Sequence, residues 1–236
     1  MIVVKNLTKS FGTQYALRGI NLEIQDGTFL SIFGPNGAGK TTFIRILSTL
    51  SRPSTGEILI DGKRLLEHAE TFRQRIGVIG HSTFLYDELT AYENLQFYAR
   101  LYSIPDAKAR IHQALDEVGL KARANDFVRT FSRGMQQRLS IARAMLHQPD
   151  ILLLDEPFTG LDQHASFMLM NWLKELKSEK RTILLVTHDL THGLELAEHV
   201  AIFVRGKVAY FEHTDHFEES EFQNHYHKVV AAGGAA

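Results

Sequence analysis

Cysteine is absent from this chain. That excludes disulfides, a thiolate metal site and a cysteine nucleophile, and it suits a reducing compartment. No sign of charge dominates: 26 Lys and Arg stand against 27 Asp and Glu, for a formal net charge of −1. Such a balance gives no electrostatic footprint for nucleic acid, so no nucleic-acid partner is expected. No uncharged apolar run is long enough to span a bilayer. Met1-Ile2-Val3-Val4-Lys5-Asn6 lacks the basic and long apolar regions of a signal peptide. A role at a membrane would therefore run through a partner. No internal repeat occurs. Low complexity is confined to Ala231-Ala232-Gly233-Gly234-Ala235-Ala236, expected as a frayed tail. The 236 residues are 44% apolar, enough to bury a core in one large domain or two small ones.

Gly34-Pro35-Asn36-Gly37-Ala38-Gly39-Lys40-Thr41 fits Gly-x-x-x-x-Gly-Lys-Ser/Thr without a gap. It follows a strand-like run, Phe29 to Phe33, and opens onto the helical pattern Thr41-Thr42-Phe43-Ile44-Arg45-Ile46-Leu47. Strand, loop and helix in that order are what a phosphate-binding loop requires. Its glycines let backbone N–H groups turn toward phosphate oxygens. The helix N-terminus adds partial positive charge. Lys40 is expected to reach the β- and γ-phosphates of ATP, and the Thr41 hydroxyl to ligate Mg²⁺.

Strand signals recur at Ile2–Leu7, Ile20–Ile24, Glu57–Ile60, Ile76–Ile79, Ile151–Leu154, Thr182–Val186 and Val200–Val204. A turn-rich segment is expected between the first two. From about Leu89 to Leu146 the pattern is helical, punctuated by Pro105 and Gly119, and Ala165 to Leu176 also has helical spacing. Buried strands alternating with helices indicate a parallel sheet covered on both faces. The helical block forms an inserted lobe, and the N-terminal hairpins form a further layer.

Ile151-Leu152-Leu153-Leu154-Asp155-Glu156 is an apolar strand ending in two carboxylates. Ligands bind at that edge of open α/β sheets. Asp155 suits Mg²⁺, directly or through its second shell, and Glu156 suits polarising an attacking water. Ser132-Arg133-Gly134-Met135 opens a helix with Ser132 as its N-cap. Gly160-Leu161-Asp162 follows Glu156 closely, and Thr187-His188-Asp189 ends the next strand. His188 and His192 stand four apart, like a zinc-protease helix. His188 lies at a strand end, however, so the pair would not share a helical face.

These motifs, in this order, resemble the ATP-binding subunit of ABC transporters over residues 1 to about 212. The resemblance implies an α/β fold with a RecA-like P-loop NTPase core, an antiparallel β subdomain and an α-helical subdomain inserted at about 84–146. It leaves 213–236 as a C-terminal tail, and His213, His216, His225 and His227 are expected to be solvated there. Gly34 to Thr41, with Thr42, resembles Walker A, and Ile151 to Asp155 Walker B. Glu156 resembles the catalytic glutamate and His188 the switch histidine, working with Lys40. Phe11 resembles the aromatic that stacks on adenine. Phe131 to Met135 resembles the signature, so Ser132, Arg133, Gly134 and Met135, with Asp162 of the D-loop, would act in trans on a partner's nucleotide. Mg²⁺ would be held by Thr41, Asp155 and His81.

Two places depart from the family pattern. Arg133 and Met135 stand where glycine and glutamine are usual, and His81 stands where a glutamine normally contacts Mg²⁺ and water. The resemblance further implies ATP hydrolysis, a homodimer or heterodimer of ATP-binding subunits, and a separate transmembrane subunit. That subunit would contact the lobe near residues 81–95, where Phe84, Leu85 and Tyr86 either supply an apolar groove for it or pack into the core. The expected place is the cytoplasmic face of the cell membrane. Residues 81–90 and 131–138 are similar to ATPases assigned to haem export in cytochrome c maturation. A soluble ABC ATPase that does not engage in transport is the competing class. Those that act on nucleic acid or ribosomes usually carry two cassettes, a coiled-coil insertion or zinc-binding cysteines, and none is present here. A non-hydrolysing regulator is opposed by Glu156 and His188.

Overall fold

The computed structural model describes residues 1–80, 82–179, 181–214 and 219–234. Alternation builds the first layer. Ile2, Val4 and Leu7 are buried along β1 (Ile2–Phe11), as are Leu17, Ile20, Leu22 and Ile24 along β2 (Gln14–Ile24). The two strands pair antiparallel, with Phe11 opposite Gln14. The segment expected to be turn-rich is thus nearly all strand. Register shifts between Val4 and Leu7 and between Lys9 and Ser10 interrupt the alternation that would have revealed it. On the other edge of β1 come β4 (Thr55–Ile60) and the short β5 (Lys63–Arg64), giving the order β2-β1-β4-β5.

The second sheet is built from apolar runs. Its parallel strands are β3 (Phe29–Phe33), β6 (Ile76–Ile79), β7 (Ile151–Asp155), β8 (Thr182–Val186) and β9 (His199–Val204), and β10 (Lys207–His213) pairs antiparallel with β9. The order is β10-β9-β3-β8-β7-β6. Every residue of β3 and β8 is buried, which is why they carry no alternation.

Helices cover both faces. On one, α1 (Lys40–Leu47) drives Phe43, Ile44, Ile46 and Leu47 into a core shared with β1, β2 and β4. On the other, α3 (Ala91–Leu101), α4 (Ala107–Glu117), α5 (Arg133–Met145) and α6 (Gln163–Ser178) bury Leu95, Leu115, Leu139 and Leu173 against Leu152, Leu154 and Leu185. The inserted helices are well specified locally. Thr90 and Glu93 form a reciprocal capping box at α3. Buried Asn94 donates to the Tyr86 carbonyl at 2.9 Å and accepts from its N–H at 2.8 Å. The short α2 (Ala69–Arg73) precedes β6, and α7 (Leu190–Leu196) links β8 to β9.

The stretch from residue 213 is a strand end and a packed helix rather than a solvated tail, although His227 is exposed as expected. His213 closes β10, and α8 (Glu219–Gly234) follows. Phe222 is fully buried, and Tyr226, Val229 and Val230 join it against Val200, Ile202 and Phe33. The spacing of these four residues is helical, although polar and histidine residues between them dilute it. The His213 ring meets that of His199 edge-on at 4.7 Å, and the His225 ring lies 4.4 Å from Tyr210. His216 lies outside the described residues.

Candidate active site

The loop from Gly34 to Gly39 joins the buried end of β3 to α1. Two of its positions need glycine. Gly34 has φ +147°, and a Cβ there would collide with the Phe203 carbonyl. Gly39 has φ +101°, and a Cβ there would collide with the Ala16 carbonyl and lie 2.8 Å from the Leu17 side chain. The loop is therefore seated on β2 and β9. The Gly206 N–H donates to the Ala38 carbonyl at 3.0 Å, which braces the seat. Asn36 and Gly37 remain exposed, Pro35 is half-buried, and Thr42 is half-buried on the first turn of α1.

Lys40 is only 7% exposed. Its Nζ donates to the Gly34 carbonyl at 2.5 Å and the Pro35 carbonyl at 3.1 Å. Burial pushes the Lys40 ammonium below its ordinary pKa, and the carboxylates of Glu156 and Asp155 oppose that shift. The Thr41 hydroxyl donates to Asp155 Oδ1 at 3.0 Å. The structure thus brings Lys40, Thr41, Asp155 and Glu156 together at the C-terminal edges of β3 and β7.

Glu156 leaves β7 with φ +54°, an unusual conformation for a glutamate. Its N–H donates to the Val186 carbonyl at 2.8 Å. Its Oε2 lies 2.7 Å from His188 Nδ1 and accepts from the His188 N–H at 3.4 Å. Adjacent parallel strands set this pair, since Asp155 is opposite Val186 in the β7–β8 register. His188 turns to Glu156 while His192 turns to Asp189, so the two histidines do not converge.

Thr41 and Asp155 are hard oxygen donors within hydrogen-bond reach of one another. Among the described residues no group of three or more His, Cys, Asp or Glu is placed to hold a metal. A hydroxyl and one carboxylate suit Mg²⁺, which takes few protein ligands and completes its shell with phosphate and water. His81 lies outside the described residues.

Ser132 and Asp162 each cap a helix. Ser132 Oγ accepts the Met135 N–H at 3.3 Å at the start of α5, and Asp162 Oδ1 accepts the Ala165 N–H at 2.8 Å at the start of α6. Ser132, Arg133 and Asp162 are exposed, Gly134 is half-buried, and half-buried Met135 packs on the core of the helical lobe. The Arg133 guanidinium lies against Gly160. A cavity of about 570 Å³ joins this face to the carboxylate, lined by Ser82, Arg133, Gln136, Glu156 and Thr159 among others. Phe11, 60% exposed, stands at the end of the β1–β2 hairpin with the Lys9 ammonium 4.9 Å from its ring centre.

Sequence reasoning missed Arg143. It is buried in the last turn of α5, where its Nη2 donates to the Val78 carbonyl at 2.6 Å. Its guanidinium carbon lies 5.3 Å from both the Phe84 and the Tyr98 ring centres. It ties β6 and the 82–86 segment to the lobe. The one signal was a cation inside Ile141-Ala142-Arg143-Ala144-Met145.

No helix among the described residues is long and apolar enough to cross a membrane. The family model described as ABC transporter matches residues 17–159. The ABC transporter ATP-binding protein NatA of Bacillus subtilis (strain 168) is 41% identical over 209 residues, which cover 87% of this chain and 85% of that one. Among solved structures, the dimeric post-hydrolysis state of the ATP-binding cassette MJ0796 bound to ADP and Pi is similar, with a TM-score of 0.84 and 31% identity over 92% of this chain and 100% of the other. So is cbiO1 from Clostridium perfringens, part of the ABC transporter complex cbiONQ, with a TM-score of 0.81 and 27% identity over 97% and 93%. This chain belongs to the ABC transporter family and is one of its ATP-binding subunits, an ATPase.

Proposed function

We propose that this ATPase binds MgATP on the 34–42 loop and hydrolyses it to drive a substrate across a membrane through a separate transmembrane subunit. The observation that carries the chemistry is the 2.7 Å contact between Glu156 and His188, at the strand edge that also presents Lys40, Thr41 and Asp155. Lys40 and the N-terminus of α1 draw the phosphates in. Thr41 and Asp155 would hold Mg²⁺, with His81 completing the set. When bound there, Mg²⁺ neutralises phosphate charge. Glu156 orients a water for in-line attack, and His188 holds the carboxylate and reaches toward the γ-phosphate. Exposed Phe11 stacks on the adenine.

The exposed caps Ser132 and Asp162, with Arg133, Gly134 and Met135, serve the nucleotide of a second ATP-binding subunit. The dimer bound to ADP and Pi to which this chain is similar supports that pairing. The likeness to a component of cbiONQ supports work within a larger transporter, and hence a place at the inner face of the cell membrane. Haem is proposed as cargo on the likeness of residues 81–90 and 131–138 alone, and the relatives named above lend it no support.

Glu156→Gln tests the chemistry. Nucleotide binding stays, turnover falls by at least about a hundredfold, and an ATP-bound dimer accumulates. Undiminished turnover removes Glu156 from the role. Co-purification of the chain with a multispanning membrane protein separates a transporter subunit from a soluble ATPase, and loss of c-type cytochromes on deletion tests haem as cargo.

A further inference from the structure

The Glu156–His188 pair has little packing of its own on the histidine side. The His188 side chain is 69% exposed, against 24% for Glu156. What fixes the pair is therefore what fixes the two backbones on either side of it. Before the pair, the β7–β8 ladder does so, ending in the bond from the Glu156 N–H to the Val186 carbonyl at 2.8 Å. After the pair the strands have ended, and Glu156 lies in a left-handed conformation that its neighbours must hold.

A second bridge lies on that far side. The rings of Phe158 and His192 stack, with centroids 4.9 Å apart and planes 14° from parallel. Phe158 packs on the large core under α5 and α6. His192 is fixed from its own helix: its Nδ1 lies 2.6 Å from Asp189 Oδ2, and its N–H donates to Asp189 Oδ1 at 3.1 Å. Asp189 in turn caps α7, and its N–H donates to the Thr187 hydroxyl at 3.1 Å. Burial would raise the Asp189 pKa, but its hydrogen bonds with His192 carry it below the ordinary value, as expected of a carboxylate held ionised against the ring.

We infer that His192, stacked on Phe158 and anchored by Asp189, is a positioning residue that clamps the loop after Glu156 to the first turn of α7, just after His188, and so holds the two in line. This rests on the catalytic reading of Glu156 and His188. The contacts of His192 are with Asp189 and Phe158, one step removed from the Glu156–His188 pair. It acts by limiting the positions open to the carboxylate, which bears on the rate of the chemical step more than on ATP affinity.

The test compares steady-state ATP hydrolysis by the full chain in His192→Ala, His192→Phe, Phe158→Leu and Glu156→Gln, each checked for folding by thermal melting. His192→Ala should lower kcat about tenfold with KM for ATP within about twofold. Phe158→Leu keeps the apolar packing, removes the stack and should show the same split. His192→Phe keeps a stacking ring and should restore most of kcat. Unchanged kcat in His192→Ala and Phe158→Leu, with Glu156→Gln inactive, overturns the clamp and leaves the catalytic reading standing. Equal losses in His192→Phe and His192→Ala overturn it too, because the stack would then not be the cause. Full turnover in Glu156→Gln overturns the catalytic reading, and the clamp with it.

Discussion

The ring of Phe222 on α8 packs against that of Phe33, the last residue of β3, with centroids 5.4 Å apart and planes tilted by 57°. Phe33 directly precedes the 34–39 loop, the proposed phosphate-binding loop, so the C-terminal helix supports the candidate site from beneath. Both side chains are fully buried. Phe222→Ala should cost about 3–5 kcal/mol in denaturant unfolding and also weaken nucleotide binding. A cost below about 1 kcal/mol would show that α8 contributes little to the fold.

His147 predicts an acid limb in stability. Burial is the main cause that lowers its pKa from 6.5 to about 4; the Ile76 carbonyl opposes this and the Arg143 charge adds to it. The ring stacks on Tyr102 at 4.0 Å, and its other neighbours in the crevice include Arg110. The folded state therefore binds fewer protons than the unfolded chain between these two values. Stability from this group is full above pH 6.5 and is lost as pH falls toward about 4, by up to about 3 kcal/mol. His147→Phe keeps the stack and should flatten that limb in urea titrations across pH 4–7. An unchanged slope would mean that other groups set it.

Lys40 separates stability from function. Its folded pKa lies below 10.5 because burial penalises the charge, only partly offset by Glu156 and Asp155. The unfolded chain then holds its proton to higher pH, so the ammonium opposes folding at neutral pH, and its penalty fades as pH rises toward 10.5. Lys40→Met should raise the melting temperature of the nucleotide-free chain while abolishing hydrolysis. A lower melting temperature would show that the bonds to the Gly34 and Pro35 carbonyls outweigh the burial cost.

Residues that meet in space were legible in the sequence when each sat in a dense local pattern. Lys40 and Thr41 follow their glycines, and Asp155 and Glu156 follow four aliphatic residues, so strand, loop and edge could be placed without coordinates. Helix α8 was not legible, because histidine and polar residues surround Phe222 and its partners lie on β3 and β9. Arg143 was not legible either. Its bond to Val78 and its place between the Phe84 and Tyr98 rings join three segments that no local spacing connects. The His192–Phe158 stack was hidden for the same reason, and the four-residue spacing to His188 suggested a different chemistry.

The proposed sharing of sites between two chains is tested by mixing defective subunits. Lys40→Ala removes the proposed phosphate contact on its own chain. Gly134→Asp sets a carboxylate where the signature would approach a partner's phosphate. The fold has room for it, since a Cβ at Gly134 would meet its nearest neighbour, the Ala165 Cβ, at 3.8 Å. Each variant alone should be inactive. In a mixed dimer the intact loop of the Gly134→Asp chain faces the intact signature of the Lys40→Ala chain, and both lesions fall in the other site. An equal mixture of independent sites should recover about a quarter of wild-type turnover, because half the dimers are mixed and each carries one good site. Recovery must depend on dimer exchange, so mixing pre-crosslinked homodimers should give none. A structure with ATP enclosed by one chain, and Ser132 remote in every nucleotide state, would defeat the shared site outright.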